Sequence, residues 1–434
     1  MAIPKFTEAK TTQVVDNTKP SYKDYMSMVI NRVNKLRDVA YTGNLNEKVK
    51  KVAVILCGSR NGSSLLKAIV SKSKDVAYLS GEEEPFYIIT KNGFPWSSDS
   101  DGFNTIQNKQ ELLDNIFDEM GVNTKDIDID QIIHNWKNRI PLQAPTVSES
   151  LLDNDVESIW KSLETSSLGD SDYTYKELNQ LFLKSFFHGK QDFGYYDIIP
   201  ENTPFLINDI DKAKIEEPPY VIPEQRRAIT EKDCEDKTFI FKTPQDCYRI
   251  GVFEELFPNA EIKYIHLSRG FAQSVNGLMD GWLSETGFYA HNMDIVDERL
   301  NIEGYTSVVK GGDRWWNFDL PNNWREYKDK PLEDVCLNQW YEAHNTILNS
   351  GVDALRIKFE DFTLDPQTTF NKITDYMGIG RVVTKKLPLI MVTETPSDFR
   401  WHKRKEIIEK LTEEPKVKKL MKKLGYSMDP KTWI

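Results

Sequence analysis

The sequence predicts an α/β fold in which a central parallel β-sheet is flanked by helices. Three observations lead there. Short apolar runs rich in β-formers recur along the chain, and Val52-Ala-Val-Ile-Leu-Cys57 is the clearest. A run with no polar face suits a strand covered on both sides, as parallel sheets are. Helical patterns follow several of these runs, and strand–helix alternation marks parallel crossover units. The first run also passes through Gly58-Ser-Arg-Asn-Gly-Ser-Ser64 directly into a helical stretch.

In chain order, residues 1–50 are polar, with a helical stretch over Tyr22–Val39, and read as an N-terminal helical extension. Strands are expected at Val52–Cys57, Val76–Leu79, Phe239–Phe241, Ile262–Leu267 and Leu355–Ile357. Helices are expected at Ser63–Ser71, Gln273–Trp282 and Pro366–Met377. Residues 96–237 are more acidic, with helical segments at Lys109–Met120, Ile132–Trp136 and Tyr175–Phe187. They read as a large helical insertion packed over one end of the sheet and shaping a ligand pocket there, with Trp96, Trp136, Trp160, Tyr195 and Tyr196 as its aromatic content. A second insertion, Gly287–Trp324, carries Gly311-Gly312 and Trp315-Trp316. No internal repeat breaks the pattern, so residues 1–434 are expected to form a single domain with insertions.

A hydrophobic content of 39% is enough for a sizeable core and argues against wholesale disorder. The net charge of -11 argues against a general nucleic-acid binder, which needs a basic footprint. It leaves room for a small polyanion, because a local pocket can be positive on an acidic protein. Met1–Lys10 lacks the apolar stretch of a signal peptide, and no run of about 18 apolar residues suggests a membrane span. Cys57, Cys234, Cys247 and Cys336 lie far apart without metal-ligand spacing. Reduced structural thiols and a cytoplasmic location are therefore expected.

The segment between the first strand and its helix has the layout of a phosphate cradle. Small residues let backbone N–H groups face an anion, and the helix N-terminus adds partial positive charge. Ser63 and Ser64 add hydroxyl donors at the same place. Compared with the nucleotide triphosphatase P-loop, this loop is one residue shorter and has serine at the lysine position. That disfavours a P-loop kinase or NTPase. A Ser/Gly-rich turn with no ligand is the plain structural alternative.

Gly58-Ser-Arg-Asn-Gly-Ser-Ser-Leu-Leu66 resembles the 5'-phosphosulfate loop of sulfotransferases that use PAPS (3'-phosphoadenosine 5'-phosphosulfate). Asn61 stands where that family usually has Ser. Further on, Tyr264-Ile-His-Leu-Ser-Arg269 is similar to the family's 3'-phosphate motif, although Gly270-Phe271 replaces its acidic-Pro pair and Gly277 its Ser. Ser274 lies one helical turn from Gly277 and shares its face. Leu355–Pro366 resembles the family's late strand and loop, and the basic–aromatic cluster Phe399–Lys405 falls where the family closes over the nucleotide.

The resemblance implies a P-loop-like sulfotransferase fold and sulfuryl transfer from PAPS to a hydroxyl, or an amine, with PAP released and no metal. The acceptor would be a small molecule or a carbohydrate. The donor site would comprise Gly58, Ser59, Arg60, Asn61, Gly62, Ser63, Ser64, Arg269 and Ser274, with Arg400, Lys403 and Arg404 contributing from the late cluster. Arg60 would sit at the transferring sulfate, where a fixed cation stabilises developing charge. Family members with a Lys-Thr-His motif use its histidine as base, but here the motif reads Lys242-Thr-Pro244. Lys242 survives as a cation and the histidine route is closed.

Carbohydrate sulfotransferases instead place a carboxylate just before a proline after the second strand. Tyr78-Leu-Ser-Gly-Glu-Glu-Glu-Pro85 resembles that stretch, so Glu84 is the expected base and Glu83 the next choice. A triple glutamate is otherwise often a solvated turn. His188, His266 and His291 are held in reserve. Besides the kinase, the remaining rival is a non-catalytic protein that binds PAP.

Overall fold

The computed structural model describes residues 20–167, 173–187, 213–218, 220–284, 288–384, 387–390 and 397–433. His188, Tyr195 and Tyr196 lie outside these residues. The central sheet is built from β1 (Lys51–Leu56), β2 (Val76–Tyr78), β3 (Gly121–Asn123), β4 (Arg226–Ala228), β5 (Thr238–Phe241), β6 (Glu261–Ser268) and β9 (Ala354–Lys358). A separate antiparallel pair, β7 (Tyr289–Asn292) with β8 (Trp315–Asn317), stands beside it. The strand order is β4-β3-β2-β5-β1-β6-β9. Every pairing among β2, β5, β1, β6 and β9 is parallel. The α/β class with a mostly parallel sheet flanked by helices is therefore the one the sequence predicts.

Burial explains the apolar runs. Along β1, Val52, Val54 and Leu56 enter one core with Phe86, Phe239 and Phe241. Ala53 and Ile55 enter another with Leu66, Ile265 and Phe370. Successive side chains point to opposite faces, so a strand with no polar face must be covered twice. The helix Tyr22–Leu36 opens with a capping box between Ser21 and Asp24, and Val29, Ile30 and Val33 join the first core.

The described residues of 96–237 are mainly helical, with Lys109–Glu119, Ile129–Gln143, Val156–Ser167 and Tyr175–Phe186, but they also supply β3 and β4. These two strands are only three residues each and pair antiparallel at the sheet edge, too short for periodicity to reveal. Trp136 and Trp160 pack on Phe182, at ring centroids 4.8 and 5.2 Å, in a core of the insertion's own. They do not reach the cavity; Arg139, the segment 214–218 and Val221 do.

The order of strands positions the site. From β1 the chain crosses to β2, leaving a gap that β5 later fills, and then passes to β6 on the other side of β1. Crevices of open α/β sheets lie beyond the carboxyl ends of strands at such a reversal. The carboxyl ends of β1, β2, β5, β6 and β9 deliver Arg60, Glu82, Lys242, Arg269 and Phe359 to one cavity of about 390 Å³.

Candidate active site

The loop after β1 is held in a shape that few residues adopt. Arg60 has φ 64° and Gly62, which begins the helix Ser63–Val70, has φ 88°. A Cβ built on Gly62 would lie 2.2 Å from the Phe359 ring, so both the backbone and the neighbour require glycine. Gly62→Ala is therefore expected to lower unfolding free energy by about 1–3 kcal/mol in urea titration, and an unchanged midpoint would contradict this account. Ser59 donates to Asp319 Oδ1 at 2.5 Å, tying the loop to the segment after β8. Ser64 Oγ accepts from Lys242 Nζ at 3.0 Å. The Arg60 guanidinium lies over the Phe288 ring at 5.3 Å.

Arg269 follows β6 and donates from Nη1 to the Arg60 carbonyl at 3.2 Å. Its plane covers Phe359 at 4.6 Å, and its Nε is buried with no hydrogen-bond partner. Burial lowers its pKa to about 10, with Arg60 and Arg400 pushing the same way against Glu360. A protein that encloses a guanidinium beside other cations has left room for an anion.

The late basic cluster divides. Arg400 lines the cavity. Lys403 and Arg404 instead reach Asp280 at 2.8 and 2.6 Å, on the helix Phe271–Trp282. Ser274, on the same helix, is fully buried and donates to Asn61 Oδ1 at 2.9 Å. Gly58, Asn61, Ser274, Lys403 and Arg404 therefore do not line the cavity, while Ser59, Arg60, Gly62, Ser63, Ser64, Lys242 and Arg269 do.

The wall beyond β2 carries carboxyls, with Arg139, Lys214 and Lys242 among them. Lys67, on the helix Ser63–Val70, holds the glutamate turn by donating to the Gly81 carbonyl at 2.5 Å. Glu82 pairs with buried Lys242. Burial pulls the Lys242 ammonium down, but Glu82, Cys57 and Glu83 together outweigh it and the pKa is raised. Glu83 points away from the cavity, fully buried against Asp246. Burial and Glu83 push the Asp246 carboxyl well above the ordinary range.

Glu84 faces the cavity with Oε2 held by Arg249 Nη2 at 2.7 Å. Arg249 also bonds Asp246 at 3.0 Å and lies over Tyr87 at 4.1 Å. Burial raises the Glu84 pKa while Arg249 opposes the rise. His291, on β7, also lines the cavity, 3.3 Å from Asp101 Oδ1. Burial lowers its pKa, and Asp101, Glu84 and Glu217 more than restore it. His266 stands apart, buried against His344 at 2.9 Å.

Two functional-site residues escaped the sequence reading. Glu217 lines the cavity, has one buried oxygen without a partner, and is pushed up to about 8 by burial and by Glu82. Arg249 holds Glu84. One partial signal was available: the tripeptide Glu-Glu-Pro stands at 83–85, 216–218 and 413–415, and the first two copies deliver Glu84 and Glu217 to the cavity while the third opens the helix Pro415–Leu424. Arg249 has no such signal. Among the described residues no group of His, Cys, Asp and Glu is arranged to hold a metal ion. No helix among them is long and apolar enough to cross a membrane.

No family model matches the chain, and no curated protein does. Among solved structures, the sulfotransferase domain from the curacin biosynthetic pathway is similar at 11% identity and a TM-score of 0.37, covering 88% of this chain and 99% of that one. The sulfotransferase domain of the Synechococcus PCC 7002 olefin synthase is similar at 13% identity and a TM-score of 0.33, covering 88% and 96%. A sulfotransferase from Mycobacterium tuberculosis is similar at 10% identity and a TM-score of 0.26, covering 82% and 73%.

Proposed function

We propose that the chain is a cytoplasmic sulfotransferase that moves a sulfuryl group from PAPS to a hydroxyl or amine of a small-molecule or carbohydrate acceptor. One observation carries the reading. Arg60 and Arg269, on adjacent strand ends and joined by a 3.2 Å bond, face the same cavity as Lys242 and Glu84. Arginines beyond β1 and β6 and carboxyls beyond β2 suit transfer from a polyanionic donor to a protic acceptor.

The donor-end residues fit PAPS, since the buried Nε of Arg269 has no partner of its own. Arg269 would hold the 3'-phosphate, and the loop amides with Ser63 and Ser64 the 5'-phosphosulfate. PAPS when bound supplies the sulfuryl group and departs as PAP. Arg60 and Lys242 place positive charge where the leaving phosphate gains negative charge. Glu84, its Oε2 fixed by Arg249, presents Oε1 to take the acceptor's proton. Glu217 is a second candidate for that proton, because its buried oxygen is unpartnered.

Isothermal titration with PAP, and separately with Mg·ATP, tests the donor. Binding of PAP with no heat from Mg·ATP is expected. The converse result would favour a phosphoryl-transfer enzyme. PAP binding without transfer of labelled sulfate to a broad acceptor panel would leave a binding protein.

A further inference from the structure

We infer that a buried hydrogen-bonded chain, Ser274–Asn61–His344–His266, holds the phosphate loop in shape and makes His344 a positioning residue for that loop. The significance for donor binding rests on the function proposed above; the structural claim does not.

The links are short and share one direction. Ser274 Oγ donates to Asn61 Oδ1 at 2.9 Å, which turns the Asn61 amide nitrogen toward the helix Leu332–Asn349. There Nδ2 meets His344 Nε2 at 3.0 Å, and His344 Nδ1 meets His266 Nε2 at 2.9 Å. Asn61 Nδ2 can only donate, so His344 Nε2 accepts and its ring proton sits on Nδ1, facing His266. All four side chains are buried, the most exposed at 1%. Burial pushes the His266 pKa down to about 4 and His344 well below its ordinary value, so the chain stays neutral near pH 7.

The loop needs such an anchor. Asn61 lies between two left-handed residues, Arg60 and Gly62, and Arg60 holds a conformation that a non-glycine residue rarely adopts unaided. The Asn61 side chain is tied at once to the helix Phe271–Trp282, to the helix Leu332–Asn349 and through His344 to β6. Ser274 also reaches the Arg269 carbonyl at 3.3 Å, so the same chain touches both cationic corners of the cavity. A Cβ on Gly58 would lie 3.2 Å from both Ala343 and Asn61 Nδ2, which shows how tightly the loop is seated on this anchor.

His344→Phe keeps a ring of similar size and removes both nitrogens, whereas His344→Gln retains one acceptor and one donor. Hydrogen exchange of the full chain reads the loop directly. Amides of residues 58–64 should exchange about tenfold faster in His344→Phe, with β1 and β6 unchanged and His344→Gln close to the parent protein. PAP affinity should fall by about tenfold in His344→Phe without a matching change in acceptor KM. Should His344→Phe fail to fold, Ser274→Ala breaks the chain at its other end, and about threefold faster loop exchange is expected. Loop exchange equal to the parent, or sheet and loop exchanging faster together, overturns the inference. A parent protein that does not bind PAP would sink the donor assignment instead, and the exchange result would still judge the anchor.

Discussion

Arg269→Met should weaken PAP binding by about 30–150-fold, the equivalent of about 2–3 kcal/mol for charge-assisted bonds to a phosphate. Methionine keeps an apolar body against Phe359 and deletes the cation, which now lies 4.6 Å over that ring, together with its bond to the Arg60 carbonyl. Stability should move the other way or stay level. The guanidinium is enclosed near Arg60 and Arg400, and burial already lowers its pKa to about 10. Removing a cation that burial and two neighbouring arginines disfavour, with Glu360 offsetting only part, relieves that cost. Calorimetric titration read beside the melting temperature checks both signs. A fall in affinity that merely follows a fall in Tm would assign Arg269 to the scaffold.

Glu84→Gln should lower kcat by about 10²–10⁴-fold, the usual contribution of a positioned general base, while PAP affinity stays unchanged. Glutamine still accepts the Arg249 bond that orients Glu84 at 2.7 Å, so the wall keeps its shape. Burial raises the Glu84 pKa, and a base works only when deprotonated. The rising limb of the pH–rate profile should therefore lie above the ordinary carboxylate range. Arg249→Met deletes the cation that opposes the rise, so the limb should move to still higher pH. Glu217→Gln is the comparison. If it abolishes turnover while Glu84→Gln does not, the proton passes to Glu217, which faces the same cavity.

The apolar runs forecast the sheet because their cause is local. Val52 to Leu56 alternate between two covered faces, and a sequence buried on both sides shows it residue by residue. The strand boundaries moved by a residue or so: β6 spans Glu261–Ser268 where Ile262–Leu267 was expected. β3 and β4 escaped because three residues carry no periodicity, and β7 and β8 because aromatic and polar residues mask the strand pattern in Tyr289–Asn292 and Trp315–Asn317.

The site was legible to different depths. Arg60, Ser63, Ser64 and Arg269 sit beside glycine-rich or strand-end signals, and the structure does gather them at one cavity. Glu83 and Glu84 are adjacent in sequence, yet one is buried against Asp246 and the other faces the cavity beside Arg249. Nothing in a run of three glutamates says which will turn inward. Ser274 shares a helix face with Gly277, but its hydroxyl is engaged by Asn61, a residue 213 positions away in sequence.

By itself, then, the sequence determined the layers of the fold, the cradle after the first strand and the arginine at the end of β6. These follow from hydrophobic periodicity, small-residue turns and strand-end placement, all set by neighbours along the chain. The tertiary structure alone decided which glutamate faces the cavity, that Arg249 holds it, that Glu217 joins it, and that two histidines anchor the loop from behind. Those outcomes depend on desolvation and on charges brought together from distant segments, and neither leaves a mark in local pattern.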